Sequence, residues 1–138
     1  MRIISGENKG RKIQAPKNLP VRPTTDKAKE ALFNIISNKY NLAELSILDL
    51  FSGTGNISYE FASRGCLDVM SIDSNYRCIQ FINKTSSKLE LNITTKKIDY
   101  KSYLKKSKKK FDLIFADPPY DFTIKQYLEM IELINANE

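Results

Sequence analysis

Short apolar runs alternate with longer stretches of helical spacing along most of this chain. Ile47-Leu48-Asp49-Leu50-Phe51 is nearly continuous, as parallel strands buried on both faces are. Runs over 69–72, 93–98 and 111–116 predict three further strands. Between them, residues 56–64 and 76–89 predict helices. Gly65 stops the first, and Ile79, Ile82 and Leu89 turn the second inward. A last helix is predicted over 123–134. Strands alternating with helices give a parallel sheet covered on both faces, an α/β fold.

The first 23 residues break that rhythm. Arg2-Ile3-Ile4-Ser5 and Arg11-Lys12-Ile13-Gln14 are strand-like, with Gly6-Glu7-Asn8-Lys9-Gly10 as turn chemistry between them, so a β-hairpin is predicted. It is either a solvated edge hairpin or a basic flap for a phosphate backbone. Pro16, Pro20 and Pro23 keep the following stretch extended. A helix then starts near Thr25-Asp26, capped by Thr24 or Thr25, and ends near Lys39-Tyr40. Ala28, Ala31, Leu32, Ile35 and Ile36 are its expected buried stripe.

Length and composition narrow the picture. With 138 residues, 41% of them hydrophobic, one domain with a real core is expected. It divides into a basic N-terminal segment, 1–23, and an α/β part, 24–138. No apolar run reaches membrane-spanning length, and no secretory signal opens the chain, so a cytoplasmic location is expected. The chain has no His, which removes His-based acid–base chemistry and His-liganded metal. Cys66 and Cys78 are the only cysteines and read as reduced, buried thiols. The net charge of +6 permits an anionic partner. The lysine-rich run 105–110 reads as a solvated loop rather than an RNA contact.

The candidate chemistry falls at the carboxyl ends of the predicted strands, where an open parallel sheet holds its ligand. Asp49-Leu50-Phe51-Ser52-Gly53-Thr54-Gly55 is a glycine-rich turn that lets backbone approach a ligand. A dinucleotide fingerprint would place a third glycine at position 58, where this chain has Ser58. Asp73 lies 20 residues beyond Gly53, the offset of a ribose-binding acid. Asp73, Asp99 and Asp117 each fall just past a strand. Asp117-Pro118-Pro119-Tyr120 is a stiff acceptor cluster with a flat ring beside it, suited to an amino group and its base.

Here the sequence resembles a family. Asp-Pro-Pro-Tyr after a fourth strand is similar to the motif of S-adenosylmethionine-dependent amino-methyltransferases. More narrowly, the chain resembles bacterial enzymes that methylate the exocyclic N2 of a guanine in small-subunit (16S) ribosomal RNA. Met1-Arg2-Ile3-Ile4-Ser5-Gly6 with Gly10-Arg11-Lys12, and Arg22-Pro23-Thr24-Thr25-Asp26 with Glu30-Ala31-Leu32-Phe33-Asn34, carry that narrower likeness. The resemblance implies a Rossmann-like fold and S-adenosyl-L-methionine as cofactor. It implies that Asp49, Phe51, Ser52, Gly53 and Gly55 line the cofactor's methionine side. Asp73 would take the ribose, with Asp99 and Tyr100 at the adenine. Asp117 and the Pro118 carbonyl would hold the guanine amine, and Tyr120 would stack on the base. Arg2, Lys9, Arg11 and Lys12 would grip RNA, with Arg22 and Thr24 beside the pocket. The implied partner is 16S ribosomal RNA or an assembling small subunit, with no metal, no membrane and a monomer expected. The resemblance further implies seven strands, so the last three are expected to be missing and the fourth strand's outer edge uncovered.

Two rivals share these residues. An adenine-N6 methyltransferase acting on DNA or RNA would use the same Asp-Pro-Pro-Tyr. An inactive, truncated RNA-binding fragment would keep the basic hairpin. A nicotinamide-dependent dehydrogenase is disfavoured by Ser58 and by the absence of His.

Overall fold

The computed structural model describes residues 1–19 and 24–136. Four parallel strands form one sheet: β1 (Ser46–Asp49), β2 (Asp68–Asp73), β3 (Ile93–Lys97) and β4 (Leu113–Phe115), in the order β3-β2-β1-β4. Five helices accompany them: α1 (Asp26–Lys39), α2 (Asn56–Ser63), α3 (Tyr76–Leu89), α4 (Tyr100–Lys106) and α5 (Ile124–Ala136).

Alternation along β1 divides the core. Ile47 packs with Phe33 and Ile36 of α1, Ile57 and Phe61 of α2, and Val69. Leu48 and Leu50 pack instead with Ile72, with Tyr103 and Leu104 of α4, and with Met130 of α5. Helices therefore cover both faces, as expected. In α3, Ile79, Ile82 and Leu89 are all buried, as the periodicity predicts. Both cysteines are free and buried.

Local chemistry explains the helix starts. The Thr25 hydroxyl accepts from the Ala28 N–H, the Asn75 side chain from Arg77 and Cys78, and Asp99 from Ser102. Three expectations need correction. In α1 the buried residues are Lys29, Phe33 and Ile36, whereas Ala28, Ala31 and Ile35 are exposed. The face is set by Lys29, which is buried because it finds a partner in α2. A helix, α4, nucleated by the Asp99 cap, extends into the start of the lysine run 105–110, which is otherwise the loop expected. Only Lys105 and Lys106 of the lysine run belong to it. The N-terminal hairpin has one antiparallel bridge, Arg2 to Lys12, in place of two strands.

That hairpin is bound to α2. Ile3 and Ile13 bury against Tyr59, Ile82 and Leu89. The Glu60 carboxylate accepts from the Ile4 and Ser5 N–H groups at 2.9 and 3.0 Å. The Ser63 carbonyl accepts from Glu7, and its hydroxyl accepts from Asn8. Gly6 makes this approach possible. Its φ is +91°, and a Cβ there would sit 1.9 Å from the Ser63 carbonyl oxygen.

Candidate active site

Every strand runs the same way, so the loops after β1, β2, β3 and β4 open on one end of the sheet. They surround a cleft of about 680 Å³, within the range of small-molecule sites. Of the residues expected there, Thr24, Asp49, Phe51, Ser52, Gly53, Asp73, Asp99, Tyr100, Asp117, Pro118 and Tyr120 line it. Gly55 is not on the wall. It caps α2 at φ +88°, and a Cβ on it would strike the Tyr59 ring at 2.7 Å, so its role is packing beneath the turn. Arg2, Lys9, Arg11 and Lys12 are exposed on the hairpin, and none of them lines the cleft. Arg22 lies outside the described residues.

Hydrogen bonds lock the glycine turn to the second strand. The Gly53 N–H donates to Asp73 Oδ2 at 2.9 Å. Asp73 Oδ1 accepts from the Asn75 N–H at 2.9 Å. The Ser52 hydroxyl donates to the Ile72 carbonyl. Asp73 is thus aimed by backbone, and each of its oxygens keeps a second lone pair for a ligand hydroxyl. Asp99 serves α4 through both oxygens, on the Ser102 N–H and hydroxyl. Those bonds hold its carboxyl below the usual range.

Asp49 is the unusual acid. It is 1% exposed. Its Oδ2 accepts from the Ser58 hydroxyl at 2.8 Å, and Oδ1 has no hydrogen-bond partner. Burial pushes its carboxyl up to about 7, with Asp73 and Asp117 adding to the rise. Four aspartates line the cleft, and among the described lining residues there is no Lys or Arg. Such a wall suits a ligand that brings its own positive charge. Cys78 also lines the cleft, but burial pushes its thiol up to about 11, so it is no nucleophile at neutral pH.

Phe51 and Tyr100 line the cleft and are backed by further rings. Phe51 packs on Tyr100 and Phe122 at 5.2 and 5.7 Å, and Phe122 on Tyr127 at 5.3 Å. Asp117 and Tyr120 are exposed, Tyr120 at 88%.

The sequence reading missed a buried polar network behind the cleft. Lys29 Nζ donates to the Arg2 carbonyl at 2.6 Å and to Asn56 Oδ1 at 2.8 Å, and lies 3.1 Å from Glu60. Asn56 Nδ2 donates to the Thr24 carbonyl. Arg64 closes the network on Glu60 at 2.8 Å. Burial pushes the Glu60 carboxyl up, but the Ile4 N–H, Arg64 and Lys29 together bring it below its ordinary value. Asn56 is a cleft residue directly after the glycine turn, and that adjacency was the available signal. Nothing in the spacing marks Lys29 or Glu60.

Among the described residues no cluster of three or more metal-ligating side chains occurs. No helix there is long and apolar enough to cross a membrane.

A family model described as "Conserved hypothetical protein 95" matches residues 1–138. YlbH of Bacillus subtilis (strain 168) is 36% identical over 138 residues, covering 96% of this chain and 74% of the relative. "Ribosomal RNA small subunit methyltransferase D" of Buchnera aphidicola subsp. Baizongia pistaciae is 35% identical over 133 residues, covering 95% and 67%. The solved structure of yhhF from Escherichia coli matches with a TM-score of 0.86 at 30% identity, over 99% of this chain and 73% of that one.

Proposed function

The chain belongs to the family described as Conserved hypothetical protein 95, and from that membership we propose that it methylates the exocyclic N2 amine of a guanine in small-subunit ribosomal RNA. It is an S-adenosyl-L-methionine-dependent RNA methyltransferase. One observation supports methyl transfer to an amino group, and the choice of guanine rests on the likeness of the N-terminal segment. The Asp117-Pro118-Pro119-Tyr120 loop shares a single cleft with the Asp49–Asp73 turn, so an amino acceptor and a cationic donor would meet there.

The cleft fits this cofactor. The open oxygen of Asp49 and the four aspartates of the wall suit its positive charge, and Asp73 has acceptor capacity left for the ribose diol. Asp99 and Tyr100 also line the cleft, and in this reading they take the adenine. When bound, S-adenosyl-L-methionine supplies a methyl group already activated by its positively charged sulfur. The protein's remaining task is alignment and a favourable field.

A guanine must leave its stack to enter such a pocket. Tyr120 offers a ring to replace the lost stacking. Asp117 and the Pro118 carbonyl accept the amine's N–H groups and leave its lone pair free to attack. As the nitrogen acquires positive charge, the Asp117 carboxylate stabilises it. The surplus proton leaves to Asp117 or to water. Arg2, Lys9, Arg11 and Lys12 bind phosphates from the exposed face of the hairpin.

Asp117→Ala is expected to abolish methyl transfer while leaving S-adenosylhomocysteine binding within about twofold. Transfer to small-subunit RNA is followed by mass analysis of the digested nucleosides. N2-methylguanosine is the expected product, and N6-methyladenosine would assign the adenine reading instead. Near-normal transfer by the variant would remove Asp117 from the mechanism.

A further inference from the structure

On α3 the residues Arg77, Gln80, Phe81 and Lys84 recur at helical spacing and form one stripe. Ile79, Ile82 and Leu89 bury the other side of the helix. Pro16 and Leu19, from the stretch after the hairpin, lie against the stripe and close a groove of about 490 Å³. Leu19 also lines the cleft, so groove and cleft share a rim. The half-buried Phe81 ring packs on the cluster that holds the hairpin, Ile3, Ile13 and Ile82. The groove is therefore bordered by the hairpin's support and by the cleft.

We propose that this groove is a second RNA subsite, with Arg77 and Lys84 holding backbone phosphates of the strand that flanks the target base. The inference rests on the RNA reading above and adds where the neighbouring nucleotides lie.

Its chemistry is the reverse of the cleft's. Four aspartates line the cleft, whereas among the described residues lining the groove there is no Asp or Glu. Arg77 and Lys84 are exposed, and neither is paired with a carboxylate among the described residues. Asn83 adds donors. Its side-chain oxygen accepts from the Thr95 hydroxyl at 2.7 Å, which leaves its two N–H groups for a ligand. A ligand in the groove thus meets cations and N–H donors at its polar parts, and an aromatic ring with aliphatic carbon at its apolar parts. A phosphate is acceptor-only and anionic, and a sugar and base supply the apolar faces, so a nucleotide matches both.

Spacing favours a strand over a single nucleotide. Arg77 and Lys84 are two turns apart, about 10 Å along the helix axis, so each meets a different phosphate. A base that enters the cleft has left its stack, and its neighbours must pass over the rim. Leu19 puts the groove at that rim. Phosphates placed there fix the register of the strand without reading its sequence.

The test measures binding of small-subunit ribosomal RNA across a range of salt concentrations. It compares the wild-type chain with two double variants. One removes the groove's cations, Arg77→Ala with Lys84→Ala. The control removes the same charge elsewhere, Lys106→Ala with Lys108→Ala, at exposed positions that line neither groove nor cleft. The groove variant is expected to bind RNA about tenfold more weakly at moderate salt. Its slope of log affinity against log salt should fall by roughly 0.7 for each cation removed. The control should keep the wild-type slope. S-adenosylhomocysteine should bind all three proteins within about twofold, and guanosine 5′-monophosphate should bind none more tightly than about 1 mM. An unchanged slope, an equal fall in the control, or a matching loss of S-adenosylhomocysteine would overturn the inference and leave the RNA reading standing. Tight binding of guanosine 5′-monophosphate that the groove variant loses would assign the groove to a free nucleotide instead. A wild-type chain that does not bind small-subunit RNA would overturn both readings.

Discussion

At Asp49 binding and stability oppose each other. Its carboxyl is about 7 in the folded protein against 3.8 when free. A raised carboxyl stabilises the fold below about pH 4, and that contribution is lost as pH rises to about 7. Above that, the fold carries a buried charge whose Oδ1 has no partner. Asp49→Asn removes the charge at nearly constant shape. The variant is expected to be more stable than the wild type at pH 8, by up to about 4 kcal/mol, and nearly equal to it at pH 4. Urea unfolding of both proteins at the two pH values checks this. A variant less stable at pH 8 would show that the ionised acid is held by contacts the geometry does not reveal. Cofactor binding should fall in the same variant, since an amide offers no charge to a cationic ligand.

At the scale of elements, α2 is the hub. Seven of its eight residues are buried, including Asn56, Ser58, Glu60 and Ser63. Its polar side serves the hairpin, α1 and the strand ends, and each of those polar groups has a protein partner. Lys29 joins α1 to this hub with no exposure, and burial lowers its ammonium from the usual range. Lys29→Met removes one of the two cations paired with Glu60 among the described residues and strips the Arg2 carbonyl and Asn56 of their shared donor. The expected loss is on the order of 3 to 5 kcal/mol, read from the urea midpoint, and Lys29→Arg should recover part of it. A loss under about 1 kcal/mol would mean that the cluster relaxes around the gap.

For the whole molecule, charge is segregated. The cleft wall is acidic, whereas the hairpin presents Lys9, Arg11 and Lys12 to solvent. In the proposed function this separation would let the RNA backbone stay outside while a single base enters. Reversing Arg11 and Lys12 to Glu is expected to weaken RNA binding most at low salt. The slope of log affinity against log salt should fall by roughly 2, with S-adenosylhomocysteine binding unchanged. An unaltered slope would reduce the hairpin to a cover for α2.

Much of this was legible in the chain itself. Strands 46–49, 68–73 and 93–97 and the helix Tyr76–Leu89 follow from period and end signals, which are local properties. The acids after each strand and the Asp-Pro-Pro-Tyr loop were legible because a parallel sheet converges its carboxyl ends. What stayed hidden depends on partners far along the chain. Lys29 and Glu60, 31 positions apart, carry no local mark in the sequence and become one buried pair only when α1 and α2 pack together. Ser58 read only as a missing glycine until β2 placed Ser71 beside Asp49. Gly55 read as ligand-facing, yet tertiary packing turned it onto Tyr59. Local propensity determined the elements and their order. Burial, which alone decides whether a polar group must find a partner, was decided only when those elements packed.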